Sequence, residues 1–252
     1  MIPKIIHCCW FGGKELPEQY KRYIDSWRKT NPDYEIRIWT DETFKPFIDK
    51  SEFCKYCIEN KIWGFLSDYF RFVVLYEYGG IYLDTDVEVY RSFDELLDCR
   101  MFMGFIFDCL LGTAVIGSEK GNPIMLEWRD ILLRDFDRKG ALTVSNNWVT
   151  RYFLDKYPLP AFKLNGKEQE FDGIRIYPRQ YFEKECFWPN RGGYARHFCD
   201  NTWSKNRPTH IRLAKAILPR RIVAYFSHRV NLRKNPFYKI YLAHKDRVTR
   251  RE

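Results

Sequence analysis

Asp84 and Asp86 stand one residue apart in YGGIYLDTDVE, residues 78–88, directly after a short apolar stretch. Two carboxylates brought together at a strand end repel each other unless a cation joins them. Hard carboxylate oxygens favour Mg²⁺ or Mn²⁺, and an ion held by two side chains keeps coordination positions that phosphates fill. A D-x-D tripeptide is common by chance, so its context matters. Ser67-Asp68-x-x-Arg71 lies upstream in an otherwise apolar stretch, and the three-residue spacing puts Asp68 and Arg71 on one helical face. Trp10 precedes Gly12-Gly13 and offers a ring that could stack on a planar base. His197 is an imidazole in a polar, aromatic segment, whereas His7 lies in an apolar run and reads as a core histidine.

These residues need a frame to converge. IPKIIHCCWF (2–11) has the look of a buried strand and is followed by the Gly12-Gly13 turn. Tyr20, Tyr23, Ile24 and Trp27 recur at helical spacing between Pro17 and Thr30, and YEIRIW (34–39) alternates like a second strand. Strand, turn, helix and strand within about forty residues open an α/β fold. Residues 53–78 read as helical, with a break expected near Gly64 and a left-handed cap at Gly79. IYL then enters the sheet and delivers the two aspartates. At the C-terminal edge of a strand, where the chain leaves extended geometry, both can face one ligand. MFMGFIF (101–107) is a further strand, helices are expected over about 123–134 and 145–156, and residues 174–182 form a late strand and loop.

A chain of 252 residues with 45% hydrophobic and 18% aromatic side chains can bury a proper core, which excludes disorder as the default. The first residues are too short an apolar run for a signal peptide, and no run of eighteen uncharged apolar residues exists to span a bilayer. A cytoplasmic location follows, in which the eight cysteines are reduced thiols. Cys54-x-x-Cys57 has no second C-x-x-C to complete a zinc site and fits helix-spaced core positions.

The formal charge of +9 is unevenly placed. Residues 205–252 hold 14 Lys and Arg against 2 acids, while residues 1–204 hold 28 against 31. The excess belongs to a C-terminal extension whose basic, amphipathic pattern is broken at Pro219 and Pro236. Apolar residues beside a dense positive face suit an anionic membrane surface, with a peripheral position on its inner face. No nucleic-acid motif accompanies the charge, so nucleic acid is not an expected partner. The expected division is a domain over 1–204 and the basic extension over 205–252.

Taken together, Ile6-x-x-x-Trp10-Phe11-Gly12-Gly13, Trp27 ahead of Asn31-Pro32, Leu66-Ser67-Asp68-x-x-Arg71, and Leu75-Tyr76-x-x-Gly79-Gly80-Ile81-Tyr82-x-Asp84-x-Asp86 resemble the DXD sugar-binding region of a large glycosyltransferase family. That family includes yeast-type initiating mannosyltransferases, bacterial capsular polysaccharide transferases and, more distantly, glucosylating clostridial toxins. The resemblance covers residues 2–90 and resumes from Tyr194-Ala195-x-His197 to Thr202-Trp203, where Thr202 stands in place of the usual Ser.

The resemblance implies a GT-A fold, a mixed Rossmann-like sheet flanked by helices, binding a nucleotide-sugar through Mn²⁺ or Mg²⁺. Trp10 would stack on the base. Asp68 and Arg71 would hold donor-sugar hydroxyls and orient the diphosphate side. Asp84 would contact ribose or sugar, and Asp86 would be the main metal ligand, with Asp84 and His197 completing the metal set. His197, Asn201 and Trp203 would close over the diphosphate. Asn146, Asn147 and Trp148 either line the acceptor side or cap a helix. The implied reaction is retaining hexosyl transfer, with a UDP-sugar the favoured donor, to a glycan or lipid-linked acceptor in capsular or other surface polysaccharide synthesis. A D-x-D phosphatase would need its motif near the start of the fold and an acidic pair downstream, neither of which this sequence offers. A non-catalytic nucleotide-sugar-binding protein would need no metal pair combined with a diphosphate-side histidine.

Overall fold

In a computed structural model of the chain, residues 1–139, 144–183, 193–200 and 229–249 are described. Seven strands form the main sheet: β1 (Ile5–Cys9), β2 (Glu35–Trp39), β3 (Gly80–Leu83), β5 (Met101–Phe107), β6 (Leu110–Ser118), β7 (Gln169–Phe171) and β8 (Ile174–Tyr177). Their order is β2-β1-β3-β6-β5-β8-β7. β1 runs parallel to β2 and β3, β6 is antiparallel to β3 and β5, and β8 is parallel to β5. This is the mixed sheet expected. A second, two-stranded sheet joins β4 (Val87–Val89) to β9 (Ala195–His197).

Side chains alternate across the sheet as the pleat requires. Ile81 and Leu83 enter one core cluster, while Tyr82 enters the other. On the Tyr82 side, α4 (Trp63–Tyr78) lies against β1, β3 and β6 and is flanked by α3 (Glu52–Glu59) and α5 (Pro123–Lys139). Its middle, from Asp68 to Leu75, is buried throughout, and Asp68 and Arg71 are the charged residues of that buried stretch. α6 (Ser145–Lys156) packs on β6, and α1 (Glu18–Thr30) packs on β4.

The helix break expected near Gly64 falls at Lys61, which has φ of 57°. The Ile62 amide donates to the Cys57 carbonyl (2.8 Å) and the Lys61 amide to that of Ile58 (3.1 Å), a Schellman motif. Glycine usually fills that left-handed position. Here lysine fills it, and Gly64 belongs to the first turn of α4. Cys54 and Cys57 are buried core thiols, as their spacing indicates.

Gly79 has the positive φ expected of it, 65°, but ψ of −167° makes it extended rather than left-handed helical. A Cβ there would lie 2.6 Å from the Lys120 amide nitrogen, and one at Gly80 (φ 101°) would lie 2.5 Å from the Ile5 carbonyl oxygen. Only glycine permits so tight a passage from α4 into β3. His7 secures the same corner: its Nε2 bonds the Gly79 carbonyl at 2.9 Å, and the Trp39 indole donates to its Nδ1 at 3.2 Å. A carbonyl only accepts and an indole N–H only donates, so the ring is neutral with its proton on Nε2.

Burial, chiefly, lowers the His7 pKa from 6.5 to about 4. The unfolded chain therefore binds a proton that the folded chain refuses between these values. Stability is fully present above pH 6.5 and falls as the pH drops towards 4, by on the order of 3 kcal/mol. His7→Gln is expected to remove that component, leaving a flatter profile of denaturant midpoint against pH over that interval.

At the C-terminus the break at Pro236 is observed, between helical residues 229–234 and α7 (Tyr238–Thr249). Phe237 and Tyr241 join the main core cluster, and the Leu164 amide donates to His244 Nδ1 at 3.0 Å. Pro219 lies outside the described residues. Among those described, no helix is long and apolar enough to cross a membrane.

Candidate active site

β1, β2 and β3 run in one direction, so Trp10, Asp41 and Asp84 all leave the sheet at the same edge. β3 ends at Leu83, and the next three residues turn, with the Val87 amide donating to the Asp84 carbonyl (3.1 Å). The aspartates therefore need not alternate.

Two elements then hold the chain that follows. On one side, α1 supplies Trp27, whose indole donates to the Val87 carbonyl (2.8 Å), and Ser26, whose hydroxyl accepts the Val89 amide (2.9 Å). On the other, β9 pairs in a register that sets Val87 opposite His197. That register brings an imidazole more than a hundred residues downstream to the D-x-D. Beyond the strand pair, the Phe198 amide donates to the Asp86 carbonyl (3.0 Å) and the Asp200 amide to Asp86 Oδ2 (2.8 Å).

His197 Nε2 lies 3.4 Å from Asp86 Oδ1 and 4.0 Å from Asp84 Oδ2. One ligand atom from each of the three residues lies within 4.8 Å of the others. Two hard oxygens and one imidazole nitrogen, opening from a sheet edge, suit a divalent cation such as Mn²⁺ or Mg²⁺. A second cluster, Glu183, His197 and Cys199, shares the same ring. Its contacts use the opposite nitrogen, Nδ1, with Glu183 Oε2 at 3.0 Å and Cys199 Sγ at 3.4 Å. A neutral imidazole offers one lone pair, and the pair of aspartates fits the harder ion.

The electrostatics agree with a cation site. Burial alone would disfavour an imidazolium at His197, yet Glu183 and Asp86 outweigh it and raise the pKa well above 6.5. Burial also opposes charge on Asp86, but His197 and the Asp200 amide hold its carboxyl below the ordinary value. The pocket is arranged to hold positive charge between carboxylates.

Asp68 and Arg71 form a buried pair at 2.9 Å. Arg71 Nη1 donates to the Thr113 carbonyl (2.6 Å), Nη2 lies 3.5 Å from Asp84 Oδ1, and the guanidinium stacks 4.5 Å over the Tyr82 ring. The Tyr82 hydroxyl donates to Asp84 Oδ1. Ser145, at the start of α6, donates to Asp68 Oδ1 (2.9 Å) and contacts the Thr113 hydroxyl (3.1 Å). Burial works against the Arg71 charge, but Tyr82, Asp84 and Asp68 more than offset it and raise its pKa further. The pair expected from i, i+3 spacing is thus a buried bridge from α4 to the D-x-D, rather than a solvated helical ion pair.

Trp10 is half-buried at the same edge, its indole donating to the Lys14 carbonyl (2.7 Å) and its ring tilted against Tyr20. Asn146 donates to the Leu111 carbonyl (2.9 Å) and accepts from Thr113. Neither Asn146 nor Asn147 caps α6 through its side chain, because both lie within the helix. Asn201, Thr202 and Trp203 lie outside the described residues. Three residues at the site have no signal in the sequence. Asp41 accepts the Gly12 and Gly13 amides (2.8 and 3.1 Å), while Glu183 and Cys199 flank the His197 ring.

Residues 17–103 match the family described as glycosyltransferase sugar-binding region containing DXD motif. The chain is 35% identical over 134 residues to inositol phosphoceramide mannosyltransferase 3 of Schizosaccharomyces pombe, covering 50% of this chain and 36% of that protein. It is 38% identical over 243 residues to inositol phosphoceramide mannosyltransferase 2 of the same yeast, covering 90% of this chain and 65% of that protein. In both cases the match spans less than two thirds of the relative's length. Among solved structures, the PaToxG glycosyltransferase superposes with a TM-score of 0.52 at 21% identity, covering 62% of this chain and 70% of that one. The likeness is one of fold, and the fold is GT-A.

Proposed function

The chain belongs to the glycosyltransferase family whose sugar-binding region contains the DXD motif, and from that premise we propose that it carries out metal-dependent, retaining transfer of a hexose from a nucleotide-sugar to a glycan or lipid-linked acceptor. The observation that supports this most is the meeting of Asp84, Asp86 and His197 at the edge where β3 ends. A divalent cation held there would supply neutralisation of the charge that develops on the diphosphate as the anomeric C–O bond breaks. Asp86 is the principal ligand, with Asp84 and His197 completing the protein's share. Trp10 stacks on the base, and Asp68 and Arg71 orient the sugar and the diphosphate side.

The acceptor oxygen attacks the anomeric carbon on the face the diphosphate leaves, and its proton passes to the departing phosphate. The anomeric configuration is retained, and no side chain is required as nucleophile. The names of the two yeast relatives favour mannose as the hexose and an inositol-phosphate lipid as the acceptor class, over a UDP-hexose and a capsular glycan. The basic stretch 205–252 is suited to hold the enzyme against an anionic, inward-facing membrane surface where such an acceptor lies.

The test is turnover in detergent micelles carrying inositol phosphoceramide. GDP-mannose, UDP-glucose, UDP-galactose and UDP-N-acetylglucosamine are supplied in turn with Mn²⁺, and product configuration is read by NMR. One donor is expected to give a retained glycoside, in a reaction stopped by a chelator and restored by Mn²⁺. An inverted product, or turnover indifferent to chelation, contradicts the proposal.

A further inference from the structure

His197 has two ring nitrogens, and the proposed chemistry uses only Nε2. The other is engaged by a residue outside the D-x-D region. Glu183 Oε2 lies 3.0 Å from Nδ1, and Glu183 and His197 are 5% and 9% exposed. Neither partner of this contact is free to wander. The His197 amide donates to the Phe182 carbonyl (3.0 Å), the Glu183 amide donates to that of Arg179 (2.9 Å), and Phe182 is fully packed in the core. Gly112 on β6 leaves room for the carboxylate, since a Cβ there would lie 3.0 Å from Glu183 Oε1.

A carboxylate facing Nδ1 accepts its N–H, which leaves the lone pair of a neutral ring on Nε2, pointing at Asp84 and Asp86. Cys199 Sγ, 3.4 Å from the same nitrogen, is a weaker hydrogen-bond partner than a carboxylate. The geometry points to Glu183 as the positioning residue of the metal site: it fixes the tautomer and plane of His197 so that Nε2 is the third protein ligand. The inference rests on the proposed metal reading and adds to it a residue that touches neither substrate nor cation. Carboxylates that hold a metal-bound histidine in this way typically change metal affinity 10–100-fold when removed.

The experiment is Mn²⁺ binding to the full chain, followed by electron paramagnetic resonance of the free ion, with no donor present. The proteins are wild type, Glu183→Leu, Glu183→Gln, His197→Ala and the two Glu183 changes on the His197→Ala background. Glu183→Gln keeps the side chain's shape if Glu183→Leu fails to fold. Relative to wild type, a loss of about tenfold is expected for Glu183→Gln and up to about 100-fold for Glu183→Leu. On the His197→Ala background neither change should weaken binding further, because Glu183 acts only through that ring. Folded Glu183 variants binding within twofold of wild type overturn the assignment. So does an equal loss with and without His197, which marks a merely structural effect. Wild-type protein that binds no Mn²⁺ overturns the metal reading itself, along with this inference.

Discussion

Asp86→Asn is expected to lower the transfer rate by about 10³-fold while leaving the fold intact. Asparagine keeps the shape of the side chain and an oxygen able to accept the Asp200 amide. It loses the charge that faces His197 Nε2 at 3.4 Å. A metal ion supplies several kcal/mol of transition-state charge stabilisation, and about 4 kcal/mol corresponds to three orders of magnitude. The loss should appear in kcat at saturating donor and Mn²⁺, with a thermal midpoint close to that of wild type. A rate within tenfold of wild type would show that Asp86 is not the principal ligand.

The second large effect concerns stability. Arg71→Leu should destabilise the protein by roughly 3–5 kcal/mol, because it leaves Asp68 buried beside an apolar side chain. It also removes the donor to the Thr113 carbonyl and the charge nearest Asp84. For a chain of this size the thermal midpoint should drop on the order of 10 °C. The double variant Asp68→Leu/Arg71→Leu removes both buried charges and should recover much of that loss without recovering transfer activity. A single variant melting within 2 °C of wild type would mean that the pair is solvated and contributes little.

The contrast between these residues explains what the sequence discloses. Local spacing carries the D-x-D, the i, i+3 pair and the Gly79-Gly80 corner, because each depends on a few adjacent residues. β5 lies over residues 101–107 and α6 over 145–156, as their patterns indicate. β6 is different: LLGTAVIGS has neither alternation nor helical period, because its fully buried place between β3 and β5 demands apolar residues on both faces. The second sheet is equally silent. Nothing local to VEV or ARH says that they pair, yet that pairing is what brings His197 to Asp86. Glu183 has no motif because its role depends on a bond to a ring fourteen positions away. Lys61 occupies a position where glycine is the usual signal, so the sequence points to Gly64, three residues beyond the actual α3–α4 boundary.

In the proposed mechanism Asp84, Asp86 and His197 form a cation site that binds a nucleoside diphosphate. Isothermal titration of UDP and of GDP into the wild-type chain, with and without Mn²⁺, tests it most directly. One of the two nucleotides should bind when Mn²⁺ is present and show no measurable heat when it is withheld. Binding of equal strength without the metal, or none of either nucleotide with it, would contradict the claim.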